Sequence, residues 1–310
     1  MASHEAREDN MEGRYYSLNE YLKTTFGEKV YKLSIDLGLT CPNRDGTLDT
    51  RGCIFCLEGS SHFATDGEDI HSRIEKAKKL VENKTKAQKF IAYFQSYTNT
   101  YAPIEYLENV FFETAKREDI VALSIATRPD CLDESVLSLL AEVNKIKPVW
   151  VELGLQTANE KTAEYIRRCY KNEVFAQAVQ NLNKLGIEVI THVIIGLPNE
   201  TRQDVLNSVD FAVKCGTRGI KLQLLHVLRG TDLCADYVRG LFDTLSLDEY
   251  MEILFECIKR LPEDVVVHRI TGDAPKKHLV SPLWSGDKKT VMNTIRREME
   301  NRDIRQGALV

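Results

Sequence analysis

Apolar residues fall along this chain in two alternating patterns. Short, nearly continuous apolar runs occur at 30–37 (VYKLSIDL), 89–95 (KFIAYFQ), 120–125 (IVALSI), 149–155 (VWVELGL), 187–195 (IEVITHVII) and 219–226 (GIKLQLLH). Their length and their Val, Ile and aromatic content suit buried strands. Between them, stretches near 69–84, 103–116, 133–145, 160–186 and 202–215 repeat apolar residues at helical spacing. Two of these helices open on good caps, Asp133 ahead of ESVLSLL and Asn199 or Thr201 ahead of RQDVLNSVDFAVK.

Six strands alternating with helices predict parallel pairing through right-handed crossovers. That leaves a doubly wound sheet or a full or partial barrel. Polar groups recur just after the strands: SYTNTY after the second, ATRPD after the third, QT after the fourth and GLPNET after the fifth. In a barrel those ends converge on one mouth. A Rossmann sheet would concentrate its chemistry in one glycine-rich turn, and no GxGxxG follows the first strand. The pattern therefore predicts an α/β protein, a partial (β/α)6 TIM-like barrel over 14–235. A flexible tail at 1–13 precedes it. A C-terminal α/β extension at 236–310 follows, packed on the core, with a helix near 246–260, a strand at 264–269 and a basic helix near 288–301.

Charge adds one constraint. The chain carries 41 basic and 46 acidic residues, so a nucleic-acid partner needs a local basic patch. No apolar run approaches the roughly 20 residues that span a bilayer. The opening MASHEAREDNMEG is polar and without a hydrophobic signal region, and a cytoplasmic location is expected.

Eight cysteines without a signal region argue against a disulfide framework. Five are scattered and read as small buried hydrophobes, with Cys131, beside the polar exit of the third strand, the exception to watch. The other three, Cys41, Cys53 and Cys56, share the loop GLTCPNRDGTLDTRGCIFC in the pattern C-x11-C-x2-C. Three thiolates from one loop suit a metal centre. A structural zinc site normally takes four protein ligands, and His62 is the nearest further donor. A [4Fe–4S] cluster on three cysteines leaves one iron open for a ligand. From spacing alone, cluster, zinc and unrelated buried cysteines all stand.

From this loop onward the chain resembles the radical SAM superfamily, in which an aromatic residue precedes the last cysteine; here it is Phe55. The long first gap departs from that superfamily's usual C-x3-C-x2-C and resembles the YhcC/YtqA-like (MnmL-type) subgroup, related to the catalytic subunit of Elongator. YYSLNEYL, CPNRDGT, YFQSYTNTYAP, ATRPDCL, ELGLQT, HVIIGLPNET, HVLRGTDL and HRITGDAP carry the resemblance nearly end to end. It implies a [4Fe–4S] cluster on Cys41, Cys53 and Cys56 that cleaves S-adenosylmethionine reductively to a 5′-deoxyadenosyl radical. It also implies an electron donor such as flavodoxin or ferredoxin. By the same resemblance Gln156 contacts the cofactor ribose, Arg168 its carboxylate, and Ile195, Gly196, Leu197 and Pro198 its adenine. The superfamily's GGE motif is replaced by SYTNT, and a third-strand glutamate by Ala126, which shifts a ribose contact to His192.

The subgroup implies tRNA as substrate, with conversion of wobble 5-carboxymethylaminomethyluridine to 5-aminomethyluridine. Tyr97, Asn99, Arg128 and Asp130 at the strand ends, and Lys288 and Arg296 on the basic helix, are the candidate substrate contacts. Residues 71–90 hold seven Lys or Arg against two acidic residues, and 276–305 hold eight against four. A small metabolite or peptide substrate, or a non-catalytic RNA-binding module stabilised by zinc or a cluster, are the alternatives.

Overall fold

The computed structural model describes residues 13–57, 65 and 67–310. The predicted tail at 1–13, apart from Gly13, and His62 lie outside the described residues. Helix α1 (Leu18–Phe26) leads into β1 (Val30–Ile35), α2 (Ile70–Val81), β2 (Lys89–Phe94), α3 (Ile104–Ala115), β3 (Ile120–Thr127), α4 (Glu134–Asn144) and β4 (Val149–Gln156). Then follow α5 (Glu160–Tyr165), α6 (Asn172–Lys184), β5 (Glu188–Ile195), α7 (Arg202–Cys215) and β6 (Gly219–Leu224). The C-terminal part holds β7 (Val227–Leu228), α8 (Asp232–Val238), α9 (Leu247–Arg260), β8 (Val266–Arg269), β9 (Leu279–Ser281) and α10 (Lys288–Asn301).

All six predicted strands form, and β2 to β5 are buried almost throughout, as strands covered on both faces should be. Asp133 caps α4 through the Val136 amide. Thr201, rather than Asn199, caps α7 in a capping box with Asp204. The predicted helix at 160–186 is two helices. Arg167 and Cys169 take left-handed backbone angles, φ 56° and 64°, and break it. No glycine or proline announces that break.

Seven parallel strands pair in the order β1-β2-β3-β4-β5-β6-β8, so the extension contributes the last strand of the barrel sheet. The sheet is curled, and side chains crossing its interior prove it. Lys32 of β1 reaches Glu152 of β4 at 3.0 Å, and Lys221 of β6 reaches Tyr93 of β2 at 3.0 Å. In a flat sheet β2 and β6 would stand roughly 19 Å apart. Beneath the barrel, Leu22 of α1 packs with Val30, Ile91, Ala122, Trp150 and Ile190 from five strands. A bridge from Ser17 to Val267 ties the start of α1 to β8.

The extension shares this core. Tyr250, Leu254 and Cys257 of α9 are fully buried with barrel residues. Burying a large apolar side chain is worth about 1.5–3 kcal/mol. The chain end returns to the beginning, where the Gln306 amide donates to the Arg14 carbonyl at 2.8 Å. No helix among the described residues is long and apolar enough to cross a membrane.

Candidate active site

The cysteine loop leaves β1 and is stapled to its neighbours. Asn43 is fully buried and donates to the Arg167 carbonyl at 2.8 Å, and Arg44 donates to the Cys56 carbonyl at 2.7 Å. Gly52 has φ 73°, and a side chain there would strike Arg44 at 2.9 Å, so the turn needs glycine. Ile54 bonds to Ile166 and Leu233 through its backbone, while Phe55 packs against the apolar group formed by Ile166, Ile194 and Leu197.

Cys41, Cys53 and Cys56 all line one cavity of about 1000 Å³ at the barrel mouth. Burial and then the neighbouring Cys56 push the Cys53 thiol up to about 12. The Cys56 thiol is raised by burial, against the pull of Arg44. Among the described residues no three His, Cys, Asp or Glu side chains are gathered closely enough to hold an ion as they stand. As a donor set the loop offers three sulfurs, which suits zinc or iron–sulfur chemistry and not a hard cation.

The strand ends supply the rest of the wall. Tyr97 lines the cavity with φ 55°. Asn99 instead ties β2 to β3, donating to the carbonyls of Phe94 and Ala126 at 3.1 and 2.9 Å. The buried oxygens Ser96 Oγ, Thr98 Oγ1 and Asn99 Oδ1 in this segment meet no partner, and Thr98 faces the cavity. Arg128 grips Asp130 with two bonds of 2.9 and 2.7 Å and lies over the Tyr170 ring at 4.9 Å. Arg128 is among the residues lining the cavity, and Asp130 is not. Gln156 also lines it, held at φ 65° where the β4–β5 register shifts. Non-glycine residues in this conformation are uncommon and gather at functional sites.

Arg168 lines the wall too, but its donors are spent inside the protein. Nη1 serves the Leu155 and Thr157 carbonyls at 3.0 and 2.7 Å. Nε and Nη2 reach the Tyr170 carbonyl at 2.9 and 2.8 Å, and Nη2 also reaches Asn172 Oδ1 at 3.0 Å. All five N–H groups of a guanidinium are thereby used. Ile194 faces the cavity; Ile195, Gly196, Leu197 and Pro198 are not among its lining residues. Lys288 lines it from the start of α10, and Arg296, farther along that helix, does not.

Deeper in the barrel lies a group of charges. Glu152, fully buried, accepts from Lys32 Nζ at 3.0 Å, Ser124 Oγ at 2.7 Å and Lys221 Nζ, and pairs with His192 Nε2 at 2.7 Å. Lys221 also donates to the Tyr93 hydroxyl. The ammoniums hold the Glu152 carboxyl well below the usual carboxylate range despite its burial. Burial, helped by Lys221, lowers the His192 imidazole to about 4. Among the described residues that line the cavity, Lys32, Arg44, Lys84, Arg128, Arg168, Lys221, Arg269 and Lys288 are basic, and Glu152 and Asp273 are acidic. A chain of net charge −5 thus encloses a cationic chamber.

Comparison with known proteins settles the family. Residues 50–212 match the model of the Radical SAM superfamily, and 217–301 match the Radical_SAM C-terminal domain. YtqA of Bacillus subtilis is 42% identical over 96% of this chain and 93% of its own length. This chain belongs to the radical SAM superfamily. A tRNA uridine(34) acetyltransferase of Methanocaldococcus jannaschii is 27% identical over 54% of this chain, which spans 31% of that protein. The solved structure of the archaeal Methanocaldococcus infernus Elp3 with its N-terminus deleted superposes with a TM-score of 0.67 at 20% identity. The overlap covers 89% of this chain and 64% of that one, and shows the shared fold.

As a member of this superfamily the chain is a radical SAM enzyme. Sequence reasoning missed Lys32, Glu152 and Lys221. A signal was there: an ionisable residue inside four apolar strands, Lys32 in VYKLSI, Glu152 in VWVELGLQ, His192 in EVITHVII and Lys221 in GIKLQL. Charges inside central parallel strands demand partners, and only the closure of the barrel supplies them.

Proposed function

We propose that this radical SAM enzyme modifies tRNA, converting wobble 5-carboxymethylaminomethyluridine to 5-aminomethyluridine. Cys41, Cys53 and Cys56 would hold a [4Fe–4S] cluster, and S-adenosylmethionine would fill the cavity beside them. When bound, that pair supplies a one-electron cleavage yielding methionine and a 5′-deoxyadenosyl radical. The chain's own residues position and enclose. Phe55 braces the cysteine loop, Gln156 and Thr98 offer polar contacts from the strand ends, and Arg128 adds a guanidinium fixed by Asp130. Arg168 holds the β4–α6 connection in shape, and the walls keep water from the reacting centre. Flavodoxin or ferredoxin would deliver the electron. Lys288 and Arg296 would meet the RNA backbone.

The observation that carries this reading is the shared cavity: three thiols from one loop face the same cationic chamber as the strand ends. The name of the acetyltransferase relative supports tRNA uridine as the substrate class. Replacing Cys41, Cys53 or Cys56 with Ala should abolish iron retention after anaerobic reconstitution, together with the absorbance near 400 nm. For the substrate, nucleosides from tRNA of wild-type and deletion strains are compared by mass spectrometry. Loss of the gene should accumulate 5-carboxymethylaminomethyluridine; identical nucleoside profiles would remove tRNA and leave a small metabolite or peptide.

A further inference from the structure

The charged layer inside the barrel takes no part in holding the cysteine loop, and its charges do not cancel. Lys32 and Lys221 share the single carboxylate of Glu152. Arg269 faces the same cavity. Its carboxylate neighbour Asp273 is 3.9 Å away and is held closer, at 2.9 Å, by Lys288. The rings of Tyr93 and Trp150 lie over the Lys32 ammonium at 4.8 and 5.5 Å, so little water screens it. Surplus positive charge in such surroundings is costly alone and is relieved by an anion.

Depth says what kind of anion fits. Lys32 and Lys221 are each the third residue of a six-residue strand, roughly 10 Å below the strand ends. The cysteines sit beyond the end of β1. A phosphodiester carries chain on both sides and cannot reach such a floor without dragging its neighbours in. A carboxylate at the tip of a side arm can. It also accepts several N–H bonds at once, and an ammonium–carboxylate contact is among the stronger hydrogen bonds.

We propose that Lys32, Lys221 and Arg269 form a subsite for a terminal carboxylate carried on the substrate's reacting arm. The proposal rests on the tRNA reading only for the identity of that arm, the carboxymethylaminomethyl group. The subsite itself follows from the chamber's charge and depth. Glu152 tethers the two lysines side by side. Burial lowers the Lys221 ammonium to about 7, and an anion beside it favours its charged form. His192, kept neutral, adds no further positive charge.

Acetate is the probe, with acetamide as its neutral counterpart and the dinucleotide UpU as a phosphodiester with chain on both sides. The full chain is followed by NMR of lysine side-chain signals. Acetate should shift the Lys32 and Lys221 resonances; acetamide and UpU should not. Lys32→Met should weaken acetate binding about tenfold, Lys32→Arg should restore it, and Lys79→Gln, at an exposed lysine outside the cavity, should leave it unchanged. Unmoved signals, or equal shifts with acetamide or UpU, would overturn the subsite. Displacement of acetate by S-adenosylmethionine would also overturn it, giving the floor to the cofactor. A second arm compares the nucleoside 5-carboxymethylaminomethyluridine with its methyl ester, and tighter binding of the free acid is expected. If acid and ester bind alike, the subsite falls while the uridine reading stands. If acetate occupies the floor but the nucleoside binds no better than uridine, the uridine reading falls and the subsite stands.

Discussion

On the outer face of the C-terminal region, basic side chains are neutralised one by one. Arg302 meets Glu252 and Glu298, Arg297 lies 3.4 Å from Glu298, and Arg305 is 3.0 Å from Asp303. In the 71–90 stretch Lys78 pairs with Asp119 at 2.9 Å, while Arg73 donates to backbone carbonyls. Inside the barrel two ammoniums crowd onto one buried carboxylate. Counting charges along the sequence singles out the first two regions. The folded chain buries two lysines against one carboxylate in the third, where low polarity magnifies charge. Surface pairs sit in a solvent that screens them, so their number says little about binding or stability.

Four substitutions test that contrast. Glu152→Gln should have the largest effect, about 3–5 kcal/mol of lost stability, because two buried ammoniums lose their shared counter-charge. Urea unfolding measures it, and adding Lys221→Met should recover part of the loss. An unchanged midpoint would mean the interior is far wetter than its burial indicates.

Arg168→Lys comes next, at about 2–4 kcal/mol, since one ammonium cannot serve three carbonyls and an amide in place of a planar fork. The expected signature is a lower melting temperature that accounts for any loss of S-adenosylmethionine binding. Weakened binding at unchanged stability would return Arg168 to direct cofactor contact.

The third test uses pH. Burial lowers the His226 imidazole from 6.5 to about 4. Between those values the unfolded chain binds a proton that the folded chain refuses, so this histidine's contribution is lost as pH falls from 6.5 toward 4. The slope is at most about 1.4 kcal/mol per pH unit for the one group. His226→Gln should flatten the stability curve in that window and leave it unchanged above pH 7. A parallel curve would show that His226 titrates normally.

The smallest effect belongs outside. Arg302→Ala at the C-cap of α10 should cost less than about 1 kcal/mol. Neutralising Lys288, Lys289, Arg296 and Arg297 together should lower the salt dependence of tRNA binding by about 0.7–0.9 in log–log slope for each phosphate the helix no longer touches. An unchanged slope would assign that helix to solvated surface and leave RNA contact to the mouth.

Local pattern already carried the six barrel strands, most helix boundaries and the cysteine loop. A parallel strand buried on both faces writes a continuous apolar run, and caps such as Asp133 act on their nearest neighbours. The Arg167–Cys169 break was illegible because its cause is remote: Arg168 is drawn inward by carbonyls on the end of β4. The seventh strand was visible at 264–269 as a strand, but its place beside β6 was not, since pairing across 47 positions, as between Gly219 and Val266, leaves no local trace.

What the sequence determined by itself, then, is whatever rests on neighbours along the chain: strand and helix periods, end caps, three thiols on one loop, and the motifs that place the family. Only the tertiary structure decided which charges stand alone. Curling brings Lys32, Tyr93, Glu152, His192 and Lys221 from five strands into one layer, and it turns Arg168 from a free cation into a tie between carbonyls. The reason is physical. Hydrogen bonding and burial are set by distances in space, and barrel closure makes neighbours of residues up to 189 positions apart, Lys32 and Lys221.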